Sequence, residues 1–123
     1  MNTRAKGTRF ENDIRRYLEA CGWWMVRQAS SAFPDLVGKA PWDSPLGGYE
    51  FVFECKVNGY PSKEERAALE KLQKIYNLQA VILRKKRSRI FVEMPHIEKR
   101  FAFMAREIEA CLKIGKLRVK QKA

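Results

Sequence analysis

The stretch YEFVFECKV, residues 49–57, decides how this chain folds. Successive side chains of an extended strand point to opposite faces. Tyr49, Phe51, Phe53, Cys55 and Val57 therefore share one side, and Glu50, Val52, Glu54 and Lys56 share the other. The first side is wholly aromatic or apolar, the pattern of a strand laid on a core, and predicts the central strand of a sheet. The second side sets Glu54 and Lys56 two residues apart, so both project from one face.

Working outward, Trp23 to Gln28 is rich in aromatic and branched residues and reads as a strand. Ser30, Ser31 and Pro34 break it, and Leu36-Val37 resumes it, so two strands meet near Asp35. Residues 39–48, KAPWDSPLGG, carry two prolines and two glycines and read as a hairpin loop with Trp42 as its expected anchor. Before the strands, Phe10, Ile14, Tyr17, Leu18 and Cys21 fall at helical spacing. Thr8 with Glu11 has the form of a capping box, and Gly22 is a stop, which predicts a helix over residues 9–21.

Downstream, Ser62 with Glu65 is a second capping box, opening a helix through Ala68, Leu69, Leu72, Ile75 and Tyr76 that ends near Asn77. Residues 80–83 and 90–92 read as two short strands around the basic turn of residues 84–88. Pro95 opens a last helix with an apolar stripe of Ile97, Phe101, Met104, Ile108 and Leu112. Gly115 is expected to close it before a basic tail from about residue 116. The order helix, three strands, helix, two strands, helix predicts one α/β domain over residues 1–123, a sandwich around a mixed sheet of about five strands flanked by helices.

Lys and Arg number 25 against 14 Asp and Glu, a formal net charge of +11 on 123 residues. So large an excess on one domain implies a polyanionic partner. The helices carry mixed-sign polar faces rather than a basic face opposed to exposed aromatics, so nucleic acid is favoured over a membrane surface. No apolar run approaches the ~20 residues of a membrane span. The opening MNTRAKGTRFEND lacks the apolar core of a secretory signal, and the expectation is a cytoplasmic protein. Cys21, Cys55 and Cys111 are scattered in apolar surroundings and read as buried thiols. With one histidine, His96, the chain lacks the ligand set of a zinc site or of a histidine-metal nuclease.

Asp35 opens a strand, and Glu54 and Lys56 share a face of the next. Carboxylates clustered in this way supply hard oxygen ligands suited to Mg²⁺, with Mn²⁺ able to substitute, and the carbonyl of Cys55 could add another oxygen. Lys56, a compact cation beside such an ion, could orient a water or stabilise charge building on a phosphate. Glu11 has a simple job as the third residue of its capping box, yet lies at the margin of the buried stripe, from where it could lean toward Asp35. Arg27 and Ser31 flank the turn before Asp35 and could bind a phosphate. Lys85, Lys86 and Arg87 in the basic turn, with Lys6 and Arg9 near the start of the chain, are further candidates to neutralise phosphates.

These residues, in this order, resemble the PD-(D/E)XK nucleases, and among them the archaeal-type Holliday junction resolvases. Lys6-Gly7 followed by Glu11 looks like the family's opening, and Val26-Arg27 then Ser31 like its phosphate-contacting strand and loop. Pro34-Asp35-Leu36-Val37 and Glu54-Cys55-Lys56-Val57 look like its catalytic strands. The resemblance extends to about Phe103. It implies a restriction-endonuclease-like fold, Glu11, Asp35 and Glu54 as metal-binding acids, Lys56 as the catalytic lysine, and Arg27 and Ser31 as active-site or DNA contacts. It also implies a homodimer that makes paired cuts in a four-way DNA junction, since a two-fold object is met by a two-fold dimer. Two other readings stand beside it: a nuclease of this fold acting on other branched or duplex DNA, and a non-catalytic basic DNA-binding module.

Overall fold

The computed structural model describes residues 3–29 and 33–122. Three helices, α1 (Thr3–Ala20), α2 (Lys63–Tyr76) and α3 (Phe103–Lys122), enclose five strands, β1 (Trp24–Arg27), β2 (Leu36–Lys39), β3 (Phe51–Val57), β4 (Gln79–Lys86) and β5 (Arg89–Glu93). The strands lie side by side in chain order, all neighbours antiparallel except β3 and β4. That one parallel pair needs a crossover, and α2 supplies it. β3 is the central strand, as its alternation predicts.

Alternation along β3 sorts the core into two layers. Phe51, Phe53 and Cys55 face α1 and α3, packing with Phe10, Ile14, Leu18, Met104, Ile108 and Leu112. Trp23 closes that layer, its ring 5.2 Å from that of Phe51. On the opposite face Val52 packs with Leu69 of α2 and with Ala80 and Ile82 of β4. With helices on both sides, the face that carries Glu54 is covered rather than open, and Glu54 is only 3% exposed.

Ser62 caps α2, its hydroxyl accepting from the Glu65 amide while the Glu65 carboxylate accepts from the Ser62 amide, and Asn77 ends the helix in the left-handed conformation. The first capping box does not form. Because α1 already starts at Thr3, the amides that follow Thr8 belong to the helix interior, where carbonyls one turn back are their partners, and no orphan donors remain for Thr8 to satisfy. Glu11 is thereby free of the capping duty.

Gly115 is not a stop either, and there is no separate basic tail from residue 116: α3 runs through it to Lys122. A Cβ at Gly115 would lie 1.9 Å from the carbonyl oxygen of Tyr17. The glycine is there because the backbones of α1 and α3 touch, and Arg118 reinforces the crossing by donating to the Ala20 carbonyl at 2.9 Å. At its start, α3 follows a 3-10 turn at Lys99–Phe101 rather than opening at Pro95. The β4–β5 hairpin is longer than its apolar residues suggest. Arg84, Lys85 and Lys86 belong to β4, and only Arg87 and Ser88 turn the chain, Arg87 at a φ of 58°.

Trp42 does not anchor the loop between β2 and β3. It is 84% exposed, whereas Leu46 is 2% exposed and sits in the core, fixed by the Ser44 hydroxyl accepting from its amide. Cys55 is buried, Cys21 and Cys111 are half-buried, and all three are free thiols.

Candidate active site

The acidic residues meet where β2 begins and β3 ends. Register sets Leu36 opposite Phe53, so one residue earlier Asp35 stands beside Glu54, on the α2 side of the sheet. The backbone continues the ladder there, the Gln28 amide donating to the Asp35 carbonyl at 2.9 Å. Its side chain does the same for β3: Asp35 Oδ2 accepts from the Cys55 amide at 2.8 Å. A carboxylate thus stands in for a strand carbonyl and is held against the Glu54-Cys55-Lys56 segment.

Glu11 reaches this point from the other face. Arg27, opposite Leu36 at the end of β1, lies on the α1 side, and its Nε donates to Glu11 Oε1 at 3.1 Å. Both side chains are mostly covered. Burial, with the charge of Asp35 close by, raises the Glu11 pKa, and the Arg27 guanidinium opposes the rise. Glu11 and Asp35 are therefore electrostatic neighbours, one brought by a helix and one by a strand.

Glu65 completes the cluster, and the sequence pattern assigns it only to a helix cap. Its Oε1 accepts from the Ser62 amide and its Oε2 from Lys56 Nζ, each at 2.8 Å. The link from β3 to α2 is short, so the third residue of α2 lands over the end of β3. That shortness is the signal in the sequence from which the meeting could be read. Burial and hydrogen bonds to Asp35 and Glu65 push the Glu54 carboxyl up to about 10. Against the opposing effect of its own burial, Glu65 is held low by hydrogen bonds from Glu54 and Lys56 and from the Ser62 amide. Burial works against the charge of Lys56, but the contact with Glu65 and the nearby acids keep its pKa raised.

Among the described residues no group of three Asp, Glu, His or Cys side chains is placed to hold a metal ion; each carboxylate leans instead on a neighbour, Asp35 on the Cys55 amide, Glu11 on Arg27 and Glu65 on Lys56. By donor type alone, carboxylate oxygens are what a hard divalent cation takes. Burial and the neighbouring Asp35 and Glu65 keep a proton on Glu54, and Asp35 also raises Glu11, so a cation among these acids would relieve their repulsion. Burial raises the pKa of the Cys55 thiol well above its usual value, which keeps its sulfur from acting as a thiolate ligand there.

Lys6, Arg9, Lys85 and Arg87 line one open basin of about 390 Å³ together with Asp13, Val57 and Asn58. Val57 and Asn58 follow Lys56 in the chain, but alternation puts Val57 on the α1 side of the sheet, so the basin opens on the face opposite Lys56, Glu54 and Asp35. Lys86 is not part of it; it lies with Arg87, Ser88, Arg89 and Phe91 in a separate hollow, because alternation turns it away from Lys85. Ser31 lies outside the described residues. His96 is remote from the acids, its Nδ1 3.9 Å from Glu70.

A five-stranded mixed sheet held between one helix on one face and two on the other, with acids at the meeting of two adjacent strands, has the restriction-endonuclease-like α/β fold. Among solved structures, the chain is similar to Hjc of Archaeoglobus fulgidus, a Holliday junction resolvase from an archaeal hyperthermophile. The TM-score is 0.57 and the identity 22%, over 76% of this chain and 80% of that one. No family model matches the sequence, and no curated protein does.

Proposed function

We propose that this chain is a magnesium-dependent DNA endonuclease that resolves four-way junctions by paired cuts as a homodimer. What supports the reading is the placing of Asp35 beside Glu54 on adjacent strands, next to Lys56 and with Glu11 an electrostatic neighbour of Asp35, in a fold shared with a junction resolvase. Glu11, Asp35, Glu54 and the carbonyl of Cys55 would hold Mg²⁺, or Mn²⁺ in its place. Bound there, such an ion supplies Lewis-acid stabilisation of a phosphate and a more acidic water.

The side chains account for the rest. Asp35, tied to the Cys55 amide, fixes the spacing of the two strands. Arg27 orients Glu11 and presents its remaining guanidinium donors toward a phosphate. Lys56, steered by Glu65, places a positive charge where the pentavalent phosphate gathers negative charge. The basin of Lys6, Arg9, Lys85 and Arg87 carries the flanking backbone phosphates. Ser31 belongs to the same proposed set of DNA contacts, as does Lys86 from the neighbouring hollow. A two-fold dimer presents two such sites to the opposed strands of a two-fold junction, leaving 5′ phosphates. DNA recombination and repair, in the cytoplasm, are where such an activity serves.

The test is to offer a labelled immobile four-way junction, and linear duplex with the same arms, to the wild type and to Glu54→Gln in Mg²⁺. The expected result is Mg²⁺-dependent cutting of the junction in preference to the duplex by the wild type and none by the variant. Equal cutting of junction and duplex would remove the junction from the proposal, and equal cutting by both proteins would remove the site.

A further inference from the structure

Beside Lys56, on the same face of the sheet, stands a group of side chains that the cleavage chemistry does not use. Lys56 is the register partner of Arg84 across the parallel pair, and Arg84 is the partner of Phe91 across the hairpin. Directly opposed residues share a face on strands about 4.8 Å apart, so Lys56, Arg84 and Phe91 form one row. The Arg84 guanidinium lies 4.3 Å from the centre of the Tyr60 ring and 5.2 Å from that of Phe91. Arg89 covers Phe91 in turn, at 5.0 Å. Arg84 also donates through Nε to Glu93.

The row is rigid at its base and bare at its tip. Arg84 is held by two rings and a carboxylate, yet Tyr60, which rests on it, is 69% exposed. A ring that rests on a cation and is otherwise largely in solvent has the form of a stacking surface. Its chemistry favours a base over a phosphate, because Glu93 already neutralises Arg84. Lys6, Arg9 and Lys85, cations suited to phosphates, line a different hollow on the opposite face of the sheet.

We infer that Tyr60 is a platform on which an unpaired nucleobase of the DNA strand held at Lys56 stacks, with Arg84 as its stiffener. The inference rests on the proposed nuclease reading for the strand's placement and adds a source of structural selectivity. Bases in a continuous duplex are already stacked on both sides and offer no free face, whereas an unpaired base at a branch point does.

The experiment measures binding without cutting, in EDTA, by anisotropy of two labelled DNAs. One carries an unpaired 2-aminopurine beside a branch point, and the other is the fully paired duplex. Tyr60→Ala should weaken binding of the first by about tenfold and relieve the quenching of its 2-aminopurine, while leaving the duplex unchanged. Tyr60→Phe, which keeps the ring, should bind like the wild type. Equal losses on both DNAs, or a Phe variant as poor as the Ala variant, would overturn the platform. The ring is largely in solvent, so thermal melts of both variants should match the wild type and exclude unfolding. Failure of the wild type to cut any DNA would sink the nuclease reading while leaving this binding result legible. Junction cutting together with binding indifferent to Tyr60→Ala would sink the platform alone.

Discussion

Replacing Glu54 by Gln should abolish cutting and, in metal-free protein, make the fold more stable at alkaline pH. Glu54 is 3% exposed, and its burial, with Asp35 and Glu65 on either side, pushes its carboxyl up to about 10. In the unfolded chain the same carboxyl releases its proton near the ordinary value of 4.5. Between those limits the folded state binds one more proton than the unfolded state, so stability falls as pH rises through the window. The loss is at most about 1.4 kcal/mol per pH unit. From pH 5 to pH 8 that is up to about 4 kcal/mol, or on the order of 10 °C in melting temperature for a domain of this size. Gln has the shape of the protonated carboxyl and cannot ionise, so the variant should lack this slope. The assay is thermal unfolding of both proteins in EDTA from pH 5 to pH 8. The curves should meet near pH 5 and part above it, with the variant more stable. Adding Mg²⁺ at pH 8 should then raise the wild type more than the variant, because a cation relieves the repulsion that Gln has already removed. Parallel curves, or a variant less stable than the wild type at pH 8, would refute the electrostatic reading of the cluster.

Glu65→Gln keeps a residue type accepted in the capping box but turns an amide toward Lys56, so it should leave the melt nearly unchanged. Single-turnover junction cutting should slow by about a hundredfold, and a wild-type rate would show that Lys56 needs no such tether. Gly115→Ala forces a methyl group into the Tyr17 carbonyl, and the strain of about 1–3 kcal/mol outweighs the ~1 kcal/mol helix preference of Ala. A denaturant melt should show net destabilisation, whereas an unchanged or raised midpoint would mean that α1 and α3 do not meet there. Lys85→Gln should weaken DNA binding about equally for all sequences and lower the salt dependence by about one released counterion, read from binding at several salt concentrations. An unaltered salt slope would place the phosphates elsewhere.

The layout of helices and strands, and the placing of Asp35, Glu54 and Lys56, were legible in local patterns of residues. Alternation in residues 49–57 identifies the central strand without reference to any partner, and the second capping box, with its Asn77 end, is a local signal of backbone geometry. The predicted sheet, its hairpin and the grouping of Asp35, Glu54 and Lys56 on one face follow from such period-two and turn signals, which act over a few residues. Features that depend on contact between distant segments were not legible until the chain was folded. Thr8-x-x-Glu11 has the form of a cap, but helix already precedes it, and Glu11 turns instead to Arg27 and Asp35. Gly115 has the form of a stop, but its missing side chain lets two helix backbones touch. Trp42 outranks Leu46 in hydrophobic size, yet the path of the loop puts the leucine inside. Glu65 and Arg84 look like a cap and part of a basic turn until α2 and β4 are laid beside β3, where one meets Lys56 and the other carries Tyr60. A cap or a turn is set by neighbours in the chain, whereas the company a carboxylate or an arginine keeps is set by which strands and helices the core brings together.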